Sequence, residues 1–315
     1  MKLVVQNEKR IIKAPQRGAG RRAGIRGGLV GLAMAALASG CTPSGTQAHP
    51  APGQQRLQAP SARALDSYAT RLRTSYEQRA AAAGRWGLEQ VPLPPPPPPA
   101  VKPRITPRPG FEVTGQEEED LPPVFTTVPT THKVVFLTID DGAEKDPAFL
   151  RMMNELRIPY TAFLTNYLVE SDYGYFRAMQ ASGVTLNNHT LHHPYLPGLS
   201  YEEQRHEICG MQDVMEKEFG KRPKAFRPPY GNYNRDTLRA AKSCGIAYVP
   251  IWNEEVFADR WEFRESDWRL RPGDIVLTHF RGPAEWNGTM VDAMRRFLDR
   301  VTAEGFAVAR LEDYL

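Results

Sequence analysis

The stretch Lys133-Val-Val-Phe-Leu-Thr-Ile-Asp-Asp-Gly142 decides the fold. Val134 to Ile139 are all apolar or β-branched, without the alternation of a half-solvated strand, so they read as a strand covered on both faces, the habit of parallel sheets. The run stops at two acids and a glycine. Working outward, a helix-like stretch from Asp146 to Leu156 is followed by strand-like Tyr160 to Thr165, a helix from Asp172 to Ala181 and a short strand at Val184 to Leu186. Ser200 to Phe219 opens with an N-cap serine and Glu203 three residues on, and Asn234 to Cys244 ends at Gly245, as helix starts and stops do. Strands are expected again at Ala225-Phe226, Ile246 to Ile251, Asp274 to Leu277 and Ala307 to Arg310, with Met290 to Glu304 as the last long helix. Roughly seven strands alternating with helices predict an α/β fold with a parallel sheet, open or closed into a distorted (β/α) barrel. A barrel is favoured because Asp140-Asp141, Asn187 to His193, Arg227 to Gly231 and His279 each fall just after a strand, and a barrel gathers such ends on one face.

Composition narrows the class. With 315 residues, 41% hydrophobic and 24% charged, the chain is neither disordered throughout, nor a collagen, nor a polytopic membrane protein. The net charge of +4 hides an asymmetry: residues 1–127 carry 17 Lys+Arg against 9 Asp+Glu, residues 128–315 carry 23 against 27. The basic excess belongs to the amino-terminal part, so it is no footprint of nucleic acid on the folded domain. Gly-rich phosphate loops and serine or cysteine nucleophile motifs are absent, which argues against nucleotide enzymes and serine hydrolases.

Residues 1–41 have the layout of a signal peptide, basic from Lys2 to Arg26 and then uncharged from Gly27 to Gly40. The uncharged run is too short for a permanent membrane span. Ala38-Ser-Gly-Cys41 is similar to a bacterial lipobox, with Ala38 where leucine is usual, so Cys41 is the expected lipidation site and membrane anchor; ordinary secretion is the alternative. Residues 42–127 read as a Pro-rich linker, with seven prolines in Pro92 to Pro99. As a free polyproline II spacer, residues 92–109 would reach about 50 Å. Within the linker, Leu65, Tyr68, Leu72 and Tyr76 recur at helical spacing, predicting a helix over 62–85 that is either solvated or binds a partner. Residues 128–315 are the expected catalytic domain, extracytoplasmic and anchored to the bacterial membrane.

The chemistry sits after the strands. Two adjacent acids, Asp140 and Asp141, follow a strand whose side chains alternate faces, so they suggest different roles or a polar turn closed by Gly142. His189 and His193 are four apart, which on a helical turn puts both rings on one face at metal-ligand spacing. Two imidazoles and a carboxylate form a three-ligand site with a position left for water, the pattern of hydrolytic metal centres. His192 reads as a surface histidine. Arg227-Pro-Pro-Tyr-Gly231 is a rigid turn with one permanent cation, and His279 ends a buried strand with a titratable ring.

Taken in order, Thr138-Ile-Asp-Asp-Gly142, His189-Thr-Leu-His-His193-Pro194, Arg227-Pro-Pro-Tyr-Gly231 and Ile275-Val-Leu-Thr-His279 resemble the polysaccharide deacetylases of carbohydrate esterase family 4, the NodB-homology family. The likeness runs from about Lys133 to Leu315. It implies a distorted (β/α) barrel of about seven parallel strands and a divalent metal, usually zinc, held by Asp141, His189 and His193. Asp140 would be the general base, His279 the general acid, and Arg227 the residue that holds Asp140 as a carboxylate. The Tyr230 N–H would join in stabilising the oxyanion, and Leu277 would line the pocket for the acetyl methyl.

One motif departs from the family. An Asp-Trp pair normally orients the acid histidine and walls the groove, but here the stretch reads Trp252-Asn-Glu-Glu-Val-Phe-Ala-Asp-Arg-Trp261. Glu255 or Asp259 are the alternative orienting groups, Trp252 or Trp261 the alternative walls, and Asp267-Trp268 is a later pair of uncertain equivalence. Ile139 and Ala143 stand where an aromatic and a proline are common in the family. The resemblance implies removal of N-acetyl groups from a GlcNAc-containing polysaccharide, peptidoglycan first and chitin oligomers next. O-acetyl xylan esterase activity, or a non-catalytic glycan-binding protein of the cell envelope that keeps the fold, are the alternatives. Cys209 and Cys244, the two cysteines of the exported domain, are expected to pair in an oxidising compartment or else to be separately buried.

Overall fold

The structure is a computed structural model that describes residues 12–13 and 62–315. Cys41 and nearly all of the expected signal peptide lie outside the described residues. In chain order the elements are β1 (Ile12–Lys13), α1 (Ala62–Arg85), β2 (Val124–Phe125), β3 (Val134–Asp141), α2 (Pro147–Leu156), β4 (Thr161–Leu164), α3 (Asn166–Val169), α4 (Tyr173–Ala181) and β5 (Thr185–Asn188). They continue with α5 (Tyr201–Phe219), α6 (Arg235–Ser243), β6 (Val249–Pro250), β7 (Glu254–Val256), β8 (Trp261–Phe263), β9 (Ile275–His279), α7 (Met290–Ala303) and β10 (Ala307–Val308).

Strands and helices alternate as the sequence predicts, and every residue of β3 is buried, as an unbroken apolar run requires. The sheet runs β1-β8-β7-β9-β3-β4-β5 with β10 beside β3, and its pairings are parallel except where β8 meets β7 and β1. Beyond β5 the circuit is carried by single bridges, Asn188 to Phe226 and Ala225 to Tyr248, and then by the parallel pair β2–β6. It returns to β9 through the Thr127–Asp274 bridge and the Ile275 N–H donated to Thr126 O at 3.1 Å. A barrel that closes by bridges on one side is the distorted form of the fold.

Helix boundaries follow the capping chemistry. Ser200 and Glu203 make a reciprocal capping box at the start of α5, Asn234 and Thr237 do so for α6, and Gly220 ends α5 at φ 75°. The core of the sheet's outer face is aromatic, with Phe280 edge-on to Phe149 and Phe176 at 6.0 and 5.8 Å. A second apolar cluster, including Ile208, Phe226, Leu238 and Val249, packs under α5 and α6. There Cys209 and Cys244 form a disulfide with Sγ atoms 1.97 Å apart, joining α5 to the end of α6.

Three sequence readings change. Residues 74–127, read as linker, belong to the same compact unit as the barrel. Ala82, Ala83, Val113, Leu121, Val124 and Phe125 are buried in it, because this Pro-rich composition still contains enough apolar residues to pack. Nor is the proline run a free spacer: Leu93 bridges Ala307, Arg79 donates to the Pro92 carbonyl, and Pro95, Pro96 and Pro98 border a cavity with Pro159 and Tyr314. Polyproline II needs no internal hydrogen bonds, so it can lie along a surface as readily as it spans solvent. Finally, Trp252 to Trp261 holds β7 and the turn into the antiparallel strand β8, an addition that the periodicity of so short a stretch does not reveal. No described helix is long and apolar enough to cross a membrane. On α1, Leu65, Tyr68, Leu72 and Tyr76 are exposed.

Candidate active site

The site forms at the carboxyl ends of β3, β5 and β9. Strand alternation should send Asp140 and Asp141 to opposite faces, yet Asp141 adopts φ 81°, and this left-handed turn brings both carboxylates into one cleft. Thr190, His193 and Tyr230 also have positive φ, so among the described residues four of the seven non-glycine residues in that region of backbone space lie here. Such conformations cost about 1–3 kcal/mol each and persist where the surroundings over-determine them.

The histidine pair comes from a loop and not from a helical turn. After β5, Thr190 N–H binds Asn188 Oδ1 at 2.9 Å, His193 N–H binds Thr190 Oγ1 at 3.0 Å, and Thr165 Oγ1 donates to the His189 carbonyl at 2.9 Å. These bonds fold the loop back so that the two rings meet edge to face at 4.9 Å. His189 Nδ1 lies 2.6 Å from the Arg227 carbonyl, which can only accept, so Nδ1 carries the proton and Nε2 keeps its lone pair. Asp141 Oδ1 lies 3.6 Å from His189 Nε2 and 3.4 Å from His193 Nε2, and it is buried with no hydrogen-bond partner among the described residues.

These three side chains offer ligand atoms within 4.8 Å of one another. Two donors each about 2.0–2.1 Å from one tetrahedral ion would sit about 3.3 Å apart, close to the observed separations. Burial drives both imidazoles down to about 4, against the pull of Asp141, so they are neutral at ordinary pH. Burial would push Asp141 up, but the charge of His279 first, with that of Arg281 and of the two imidazoles once the pH is low enough to protonate them, outweighs it and holds the carboxyl below its usual range. An orphaned carboxylate oxygen and two ring lone pairs facing one another fit a divalent cation.

Asp140 is held differently. Arg227, fully buried, donates from Nη1 to Asp140 Oδ1 at 2.7 Å and to Thr138 Oγ1 at 3.0 Å, and from Nε to the Pro250 carbonyl at 2.9 Å. The guanidinium also sits 4.3 Å over the Phe163 ring and 5.7 Å from that of Trp252. Burial still pushes Asp140 up to about 6, against the pull of Arg227 and His279.

Asp140 and His279 are register partners across β3 and β9. His279 Nδ1 lies 3.2 Å from Glu255 Oε1, on the neighbouring strand β7. Burial alone would depress the ring, but the Glu255 hydrogen bond and charge, with the charges of Asp141 and Asp140, raise it to about 9.

Leu277, two residues before His279 on β9, is buried opposite Thr138 and Glu255. Tyr230 is half exposed, with its ring 4.6 Å from that of His193. Asp259 pairs with Arg260, Asp267 with Arg271, and Trp261 stacks between Phe263 and Phe297, so none of them serves His279. His192 pairs with Glu207 at 2.8 Å. One site residue was missed altogether: Arg281 donates to Asp141 Oδ2 at 2.8 Å. Its position two residues past His279 is the one signal the sequence held.

Comparison with known proteins bears on this geometry. Residues 127–249 match the family model described as polysaccharide deacetylase, a span that includes Asp140, Asp141, His189, His193, Arg227 and Tyr230. The chain is 43% identical over 196 residues to an uncharacterized protein of Streptomyces coelicolor, covering 62% of this chain and 78% of that one. It is 25% identical over 204 residues to a peptidoglycan-N-acetylglucosamine deacetylase of Bacillus cereus, covering 60% and 91%. Among solved structures, a family 4 carbohydrate esterase from Bacillus anthracis superposes with a TM-score of 0.50 at 25% identity, covering 61% and 86%.

Proposed function

The chain belongs to the polysaccharide deacetylase family and is an enzyme of that class, and on this premise we propose that it is a metal-dependent hydrolase removing N-acetyl groups from a GlcNAc-containing polysaccharide. Peptidoglycan is the first substrate, chitin oligomers the next. The observation that carries the reading is the convergence of three cation-facing donors, on Asp141, His189 and His193, with a buried carboxylate and a carboxylate-paired histidine on adjoining strands.

Amide hydrolysis needs an activated water, charge stabilisation at oxygen and a proton for the departing nitrogen. Asp141, His189 and His193 would hold a divalent ion, zinc by the donor set, which when bound acidifies water and polarises the acetyl carbonyl. Asp140, kept in place by Arg227, takes the proton from the attacking water. His279, protonated because Glu255 stands behind it, delivers a proton to the nitrogen as the carbon–nitrogen bond breaks. The Tyr230 N–H would join in stabilising the developing oxyanion, and Leu277 would line the pocket for the acetyl methyl. With Glu255 bound to His279, the missing Asp-Trp pair no longer argues for a non-catalytic protein.

The same reading takes the protein to the outer side of the bacterial membrane, tethered by lipid at Cys41. Its support is the basic-then-apolar amino terminus and the Cys209–Cys244 bridge, which suits an oxidising compartment. The test is acetate release by the full-length protein from peptidoglycan, chitin oligomers and acetylated xylan in parallel. Release from the first two supports N-deacetylation, whereas release from xylan alone replaces it with an O-acetyl esterase.

A further inference from the structure

Asp141 gives its two oxygens to different neighbours. Oδ1 faces the Nε2 atoms of His189 and His193 and has no hydrogen-bond partner among the described residues, while Oδ2 accepts from Arg281 Nη2 at 2.8 Å. The guanidinium is anchored on its other arm, where Nη1 pairs with Glu285, four residues further on in the turn after β9. Its backbone is tied as well: Phe280 N–H binds the Asp140 carbonyl at 3.0 Å, and Glu144 N–H binds the Phe280 carbonyl at 2.9 Å. Arg281 is therefore carried to the end of β3 by main-chain bonds and held there by an acid on each side.

A carboxylate can meet a cation with one oxygen or with both. Here the second oxygen's lone pair is engaged by a charged donor that cannot deprotonate. Most outer partners of metal ligands are carboxylates or carbonyls, which strengthen the ligand. A guanidinium acts in the opposite sense, since it draws charge from the carboxylate and repels the ion.

We propose that Arg281 is a positioning residue that restricts Asp141 to one metal-facing oxygen, holding metal affinity down and leaving coordination space for water and the acetyl group. The inference rests on the metal site put forward above.

The experiment compares the full-length protein with its Arg281→Met and Arg281→Lys variants, stripped of metal. Zinc affinity is read by competition with a chromophoric chelator, and ligation by the visible bands of the cobalt(II)-loaded forms. Arg281→Met removes the cation and frees Oδ2, so zinc binds about tenfold tighter or more, and the cobalt bands weaken as a further oxygen joins. Arg281→Lys keeps a charged donor, and its affinity stays within about threefold of the wild type. Wild-type-like or weaker zinc binding by Arg281→Met, with unchanged cobalt bands, overturns the proposal while leaving the metal site intact. Failure of the wild-type protein itself to bind zinc or cobalt at one equivalent overturns instead the metal-site reading on which the proposal stands.

Discussion

His279 Nδ1 lies 3.2 Å from Glu255 Oε1, and this single contact supplies an orienting carboxylate where the family's usual Asp-Trp pair is absent. The ring is raised to about 9, above its ordinary value, so it is protonated through neutral pH and loses its proton as pH rises past that value. Activity that needs an ionised Asp140, itself raised to about 6, and a protonated His279 is therefore full between about 6 and about 9 and falls on either side. Glu255→Gln removes the stabilising charge, lowers kcat by about 10- to 100-fold and moves the alkaline limb of the kcat profile to lower pH. An alkaline limb that stays where it was would show that Glu255 does not set the state of His279.

Asp140→Asn keeps the shape of the side chain and removes the base. Turnover drops by about 10²- to 10⁴-fold while one equivalent of metal stays bound, as measured by acetate release alongside elemental content. Activity within about tenfold of the wild type contradicts the role given to Asp140.

His189→Ala takes away a ring whose Nε2 faces Asp141 and whose Nδ1 is fixed by the Arg227 carbonyl. The purified variant is expected to hold much less than one equivalent of zinc. Stoichiometric zinc after dialysis would mean that the ligand set is misassigned.

Arg227 is fully buried and bonded to Asp140, Thr138 and Pro250. Arg227→Met leaves Asp140 as a buried carboxyl without its cation, which typically costs about 3–5 kcal/mol. Denaturant unfolding of the metal-free protein reads this as a lower midpoint. A midpoint unchanged from the wild type would show that the pair contributes little to the fold.

How much of this was legible in the sequence depended on how each residue is carried. Asp140, Asp141, Arg227 and His279 each follow a buried apolar stretch or sit in a rigid proline turn, and their ordered motifs fall where a parallel barrel gathers strand ends. His189 and His193 were found by spacing, although a loop shaped by Thr190 and Asn188, and not a helix, brings them together. Glu255 stayed one of several acids because β7 is three residues long, too short for periodicity to mark which side chain faces β9. Arg281 carried no pattern, since its role comes from the turn after β9 and from the left-handed backbone of Asp141. Residues 74–127 were misjudged because proline content masks the buried Val113, Leu121, Val124 and Phe125.

In the proposed reaction, hydrolysis depends on a divalent ion held by Asp141, His189 and His193. The most direct measurement is acetate release from peptidoglycan by the full-length protein before chelation, after chelation and dialysis, and after one equivalent of zinc is returned. Release is expected to be lost on chelation and recovered with zinc. Release that continues undiminished in the metal-free protein would contradict it.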